Sequence, residues 1–219
     1  MGKDFNRFRA HPWHGLPIGD RAPEVVESYI EITPFDVVKY EIDKRTGYLR
    51  VDRPQGSSAL PPTLYGFIPG TYCGDRVAGL TPEAAIGDHD PLDICVLSQQ
   101  RIERADIVLS ARVLGGIQLL DGGEADDKII AVLDNDQVFA YAKDLAHVPE
   151  TVINRMVHYF ATYKLDVNDP SANKIKVIGT YGAEHAKKVI RASIDDYQEE
   201  FQREDRRAPT VRVVREGLE

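Results

Sequence analysis

What most narrows the fold of this chain is a change of period along it. Up to residue 133 the apolar residues come in short runs: SYIEI (28–32), VVKYEID (37–43), YLRVD (48–52), DICVL (93–97), DIVLSARVLGGIQLL (106–120) and KIIAVL (128–133). Several alternate apolar with polar residues, and Gly, Pro and Asp stand between them, so each reads as a strand bounded by turns. The period then becomes helical. In PETVINRMVHYFATYK (149–164), Ile153, Met156, Val157, Phe160 and Tyr163 fall on one face; in EHAKKVIRASIDDYQEEFQRE (184–204), Ala186, Ile190, Ile194, Tyr197 and Phe201 do the same. Strands first and helices late predict an α+β, mainly β domain: an antiparallel sheet or small barrel with helices on its outside. No repeat, low-complexity tract or linker divides the 219 residues. The expectation is therefore one domain over 1–219, with an N-terminal extension at about 1–27 and a C-terminal helical segment at about 183–205.

Composition removes several function classes. With 42% hydrophobic and 28% charged residues the chain is an ordinary water-soluble one, and no apolar stretch approaches the roughly 20 residues of a membrane span. The N-terminal MGKDFNRFRAHPWHG has no signal-peptide core, and Asn6 stands where a myristoylation signal needs Ser or Thr. Cys73 and Cys95 lack metal or redox spacing. A reduced, cytoplasmic protein without membrane partners is expected. The net charge of −8 argues against a nucleic-acid surface. It leaves room for an anionic substrate in a basic or metal-bearing pocket.

The candidate chemistry lies in IGDHDPLDICVL (86–97), where Asp88, Asp90 and Asp93 crowd a turn fixed by Pro91. An EF-hand loop beginning at Asp88 would need Gly and Glu where Asp93 and Gln99 stand. GDRVAGLT (74–81) has the glycines of a P-loop but Leu80 in place of its lysine. A solvated acidic turn is the bland alternative. Against it, Asp93 opens an apolar run, and a carboxylate entering a core strand must be paired or metal-bound. Asp121, Glu124, Asp126 and Asp127 form a second acidic group, followed by Lys128, and Glu31 and Glu41 punctuate two strands. Oxygen donors in this number favour Mg²⁺ or Mn²⁺ over zinc. Lys39, Arg53, Tyr65, Lys128, Tyr163 and Lys164 are, taken singly, surface charges or core aromatics. Together with the acids they describe a site where metal ions mediate between protein carboxylates and a phosphate-rich ligand.

The motif DHDPLD resembles the D-x-D-P-x-D signature of family I soluble inorganic pyrophosphatases. The likeness continues through KYEIDKRTGYLRVDR (39–53), YGFIP (65–69), GEADDKIIAV (123–132) and HYFATYK (158–164), and residues 11–32 resemble an N-terminal extension of some members. The resemblance implies a five-stranded OB-type barrel flanked by helices, hydrolysis of pyrophosphate with several Mg²⁺ per site, and a homo-oligomer, a hexamer as in bacterial relatives. Matched residue by residue, it implies Asp88, Asp93 and Asp126 as direct metal ligands, with Asp121 and Glu31 holding further metals. Asp90 would accept the proton of the attacking water. Lys39, Arg53, Lys128, Tyr163 and Lys164 would contact the phosphoryl groups, and Tyr65 would edge the metal site. Lys44 and Lys188 match none of these positions and are expected to be neutral.

Pro61 and Leu64 depart from the family pattern, which has Tyr and Asn there, and Gly122 stands where many members carry an acid. His11 and His14 are expected in turn and packing roles. The longer stretch 70–88 is either a tolerated surface loop or a lid or subunit contact. A phosphohydrolase for another polyphosphate and, more distantly, an OB-type nucleic-acid binder are the rival readings.

Overall fold

The computed structural model describes residues 9–202 except 57 and 167. In chain order these form β1 (Val25–Ile32), β2 (Val38–Ile42), β3 (Leu49–Pro54), β4 (Leu64–Phe67), α1 (Asp75–Ala78), β5 (Ile86–Gly87), β6 (Asp93–Leu97), β7 (Ile107–Asp121), β8 (Glu124–Ala125), β9 (Lys128–Leu133), α2 (Glu150–Thr162), β10 (Ile175–Gly182) and α3 (Ala183–Tyr197), which runs on into a π-type turn over 198–202. Few helices and many strands make the fold mainly β. The helical segment expected to reach about 205 is described only to 202.

Five strands close on themselves. β1 pairs with β4, β4 with β6, β6 with β9, β9 with β7, and β7 returns to β1. Only the β6–β9 ladder in this ring is parallel. Both of those strands are uninterrupted apolar runs because both of their faces are covered. Ile94, Val96, Ile129 and Ala131 face one core, beneath Ala186, Val189 and Ile190 of α3. Cys95, Leu97, Ile130 and Val132 face the other, beneath Met156, Tyr159 and Phe160 of α2. Strand period two divides each run between two cores, and helical period seals each side. The short β4 carries little strand signal because Gly66 interrupts it. Only glycine fits there: a Cβ would lie 1.9 Å from the Tyr29 carbonyl oxygen on β1.

Part of the stretch 70–88 is built into the core. Val77 and Cys73 are buried in the α3-side core. The buried Asp196 of α3 accepts backbone N–H bonds from Gly74, Arg76 and Val77, each at 3.1 Å, and the Arg76 guanidinium at 2.8 Å. Asp196→Ala would orphan these donors, and a buried donor left without a partner costs about 1–3 kcal/mol. We expect a drop of at least that size in the free energy of urea unfolding; a change within experimental error would show that the segment is held by its apolar contacts alone. His11 and His14 do act in turn and packing: His11 Nδ1 accepts the Trp13 N–H, and the His14 ring stacks on Trp13 and Tyr197.

Candidate active site

Strand period two decides which acids meet. Asp126 and Lys128 lie two residues apart where β9 begins, so they share a face, while Asp127 between them points the other way. The Asp127 carboxylate accepts the Tyr181 hydroxyl at 2.8 Å and the Thr81 hydroxyl at 3.2 Å. It is a structural acid, outside the cavity that the remaining acids line. In the parallel β6–β9 ladder Asp93 stands in register with Lys128, and the Lys128 ammonium pairs with both Asp93 and Asp126. Tyr65, on β4 beside β6, donates its hydroxyl to Asp93. Before β6, Asp88 accepts the backbone N–H of Asp90 at 3.0 Å, which closes the turn around His89, a residue in the left-handed region at φ 62°.

Around this centre lies a cavity of about 350 Å³. It brings together every site residue named from the sequence: Glu31 from β1, Lys39 and Arg53 from the β2–β3 hairpin, Tyr65, Asp88, Asp90, Asp93, Asp121 at the end of β7, Asp126, Lys128, and Tyr163 and Lys164 just beyond α2. Lys39 bonds to Glu41 at 2.8 Å and to Asp52 at 3.1 Å, Arg53 pairs with Asp52, and Lys164 with Asp121.

The electrostatics are those of a site short of positive charge. Lys128 is only 2% exposed, and although burial opposes its charge, Asp126 and Asp93 hold its pKa well above the ordinary value. Burial and then Asp126 and Asp93 push Asp88 well above the carboxylate range. Burial also raises Asp93, against the pull of Lys128. Asp126 is the exception: burial pushes upward, but Lys128 overrides it and holds the acid low. Glu31 is pushed up to about 8 by burial, partly offset by the Ile42 N–H that bonds its carboxylate at 2.7 Å. Eight carboxylates line the cavity against five cationic side chains. Among the described residues no three His, Cys, Asp or Glu side chains converge on one point; Asp93 and Asp126 both pair with the Lys128 ammonium. The donor set suits hard divalent cations, being all oxygen, with burial leaving Glu31 and Asp88 protons that an entering cation would displace.

A family model described as inorganic pyrophosphatase matches residues 28–198. The chain belongs to the inorganic pyrophosphatase family. It is thereby a hydrolase of pyrophosphate, in a family whose activity is metal-dependent. It is 46% identical over 203 residues to the inorganic pyrophosphatase of Chlamydia caviae, covering 89% of this chain and 94% of that one. To the Chlamydia trachomatis protein of the same name it is 47% identical over 196 residues, covering 86% and 94%. The crystal structure of the Thermus thermophilus inorganic pyrophosphatase superposes with a TM-score of 0.73 at 34% identity, covering 86% of this chain and 99% of that one.

Within this family frame the structure corrects one expectation and explains two departures. Lys44, expected to be neutral, lines the cavity and pairs with Asp90; its position in the β2–β3 turn gave no sign of this. Asp52, which binds both Lys39 and Arg53, was likewise unmarked in the sequence. Leu64 is a core residue at 3% exposure, so a polar side chain there would be buried. Gly122 turns the chain at φ 63°, a conformation that disfavours an acid with a Cβ.

Proposed function

We propose that this cavity hydrolyses pyrophosphate to two orthophosphates with Mg²⁺, several ions per site, Mn²⁺ being a possible substitute. The observation that carries this reading is the imbalance of eight carboxylates against five cations. Carboxylates in that number, once ionised, repel a substrate as anionic as pyrophosphate unless divalent cations enter with it. Asp88, Asp93 and Asp126 would hold metal directly, and Asp121 and Glu31 the ions that accompany substrate. When bound, the ions neutralise phosphoryl oxygens and lower the pKa of the attacking water. Lys39, Arg53, Lys128, Tyr163 and Lys164 bind and orient the two phosphoryl groups, so that catalysis is mainly positioning and electrostatic stabilisation. Asp90, held by Lys44 at the rim, takes the proton from water, and the Tyr65 hydroxyl fixes the orientation of Asp93.

Phosphate release measured from pyrophosphate and from nucleoside triphosphates, each with Mg²⁺, Ca²⁺ or chelator, tests the reading. Pyrophosphate with Mg²⁺ should be turned over, chelator should abolish the rate, and Ca²⁺ should fail to support it, because it takes 6–8 ligands at longer distances. Equal rates with Mg²⁺ and Ca²⁺, or preference for the nucleotide, would refute it. Arg53→Ala should weaken substrate binding and slow turnover, since phosphate charge is left uncompensated. The exposed Lys188 is the proper neutral control; if both variants behave alike, the phosphate-binding wall is wrongly placed.

The closed ring of strands supports reading the fold as a five-stranded OB-type barrel. We also propose one functional domain over 1–219, with an extension at about 1–27 and a C-terminal helical segment at about 183–205, working in the cytoplasm as a homo-oligomer. No helix among the described residues is long and apolar enough to cross a membrane. The hexamer rests on resemblance alone, and light scattering on the purified protein decides it.

A further inference from the structure

We infer that Gln55 is a substrate-contacting residue of this enzyme, its side-chain amide donating to a phosphoryl oxygen beside Arg53. Gln55 lies one residue beyond β3, and its backbone N–H reaches the Val37 carbonyl at 3.0 Å, so the hairpin ladder continues through it. In an extended segment residues two apart share a face. Arg53 and Gln55 accordingly both line the cavity, with Pro54 between them outside it. The Gln55 Nε2 is buried and has no hydrogen-bond partner. Its side chain touches the Tyr159 phenol and lowers a pKa that burial pushes up to about 12, but the contact lacks the geometry of a hydrogen bond and leaves Nε2 without a partner. A buried amide donor without a partner is costly and uncommon in native proteins. The other such side-chain atoms among the described residues, Ser28 Oγ and His185 Nε2, belong to residues that do not line the cavity.

Which acceptor would satisfy this donor follows from its neighbours. On this wall Arg53 and Lys39 share Asp52, and Lys39 also pairs with Glu41, so both of these carboxylates are engaged. The cationic pair attracts an anion, and an amide N–H₂ adds donors without adding charge. Phosphoryl oxygens match both requirements.

The inference rests on the pyrophosphatase reading, and its test keeps the two apart. Gln55→Leu removes the amide at nearly constant size; Gln55→Glu keeps the shape but replaces the donor by a negative charge. Steady-state hydrolysis of pyrophosphate is measured together with calorimetric titration of methylene diphosphonate, which the enzyme cannot cleave, both with Mg²⁺. Gln55→Leu should raise KM and weaken diphosphonate binding about tenfold or more, the worth of one hydrogen bond to a charged group. Gln55→Glu should do worse on both, with thermal unfolding of each variant close to that of the wild type. Should Gln55→Leu fail to fold, the Glu variant carries the test. If both variants keep wild-type KM and diphosphonate affinity, Gln55 is a packing residue against Tyr159 or is served by a water, and the inference is overturned. Failure of the wild type itself to hydrolyse pyrophosphate would instead strike the functional reading.

Discussion

Asp90→Asn is expected to lose at least the roughly 10²–10⁴-fold that a positioned proton acceptor contributes, while still binding metal and pyrophosphate. Three aspartates of one motif sit in different surroundings. Asp88 and Asp93 are deep in the cavity and electrostatically tied to Asp126 and Lys128. The Asp90 side chain is 42% exposed and paired with Lys44. Its backbone, not its carboxylate, carries the turn: the N–H bonds to Asp88, and the carbonyl accepts the Cys73 N–H at 2.9 Å. The Asn variant therefore keeps the fold of the turn and removes only charge and basicity. Added Mg²⁺ should not recover the lost rate. Higher pH should recover part of it, since hydroxide then needs no acceptor. Asp88→Asn and Asp93→Asn should behave in the opposite way, with weakened Mg²⁺ binding and partial recovery at high Mg²⁺ by mass action. Rate against Mg²⁺ concentration at two pH values for each variant distinguishes them. Rescue of Asp90→Asn by Mg²⁺, with none for Asp88→Asn, would mean the roles are reversed.

Much of this organisation is legible in the residues, and what is not has physical reasons. Apolar runs identify β6, β7 and β9 to within a residue, most cleanly in β6 and β9, because strands buried on both faces admit little else. β10 escapes because IKVIGTYG is only partly buried along its length and contains glycine. β5 and β8 escape because they are two residues each. The acids were readable as a group, since buried carboxylates in number demand a cation. Their separation was less so: Asp126 and Asp127 are equivalent in sequence, and only the phase of β9 sends one into the cavity and the other to Tyr181. Lys44 shows the limit of spacing. It is remote from Asp90 in the chain, and the approach depends on how the β2–β3 hairpin leans over the acid turn.

Replacing Lys128 is the strongest test of how the acids of the cavity are kept in check. Its ammonium is the only cation paired with Asp93 and Asp126 among the described residues. Lys128→Met retains the apolar stem and deletes the charge, whose Nζ lies 5.9 and 5.8 Å from the Tyr65 and Phe160 ring centroids. Breaking a buried ion pair by removing one partner costs about 3–5 kcal/mol. We expect a loss of that size in urea unfolding of the metal-free protein. Mg²⁺ should then stabilise the variant more than the wild type, because the carboxylates no longer share their charge with an ammonium and metal binding adds stability by mass action. Hydrolysis should nevertheless stay slow, since the phosphoryl contact assigned to Lys128 is missing. Tighter metal binding with slower turnover is a combination that a merely unfolded variant cannot produce. If Mg²⁺ stabilises both proteins equally, Lys128 is not what balances Asp93 and Asp126 in the absence of metal, and the account of the site as one short of cations fails at its centre.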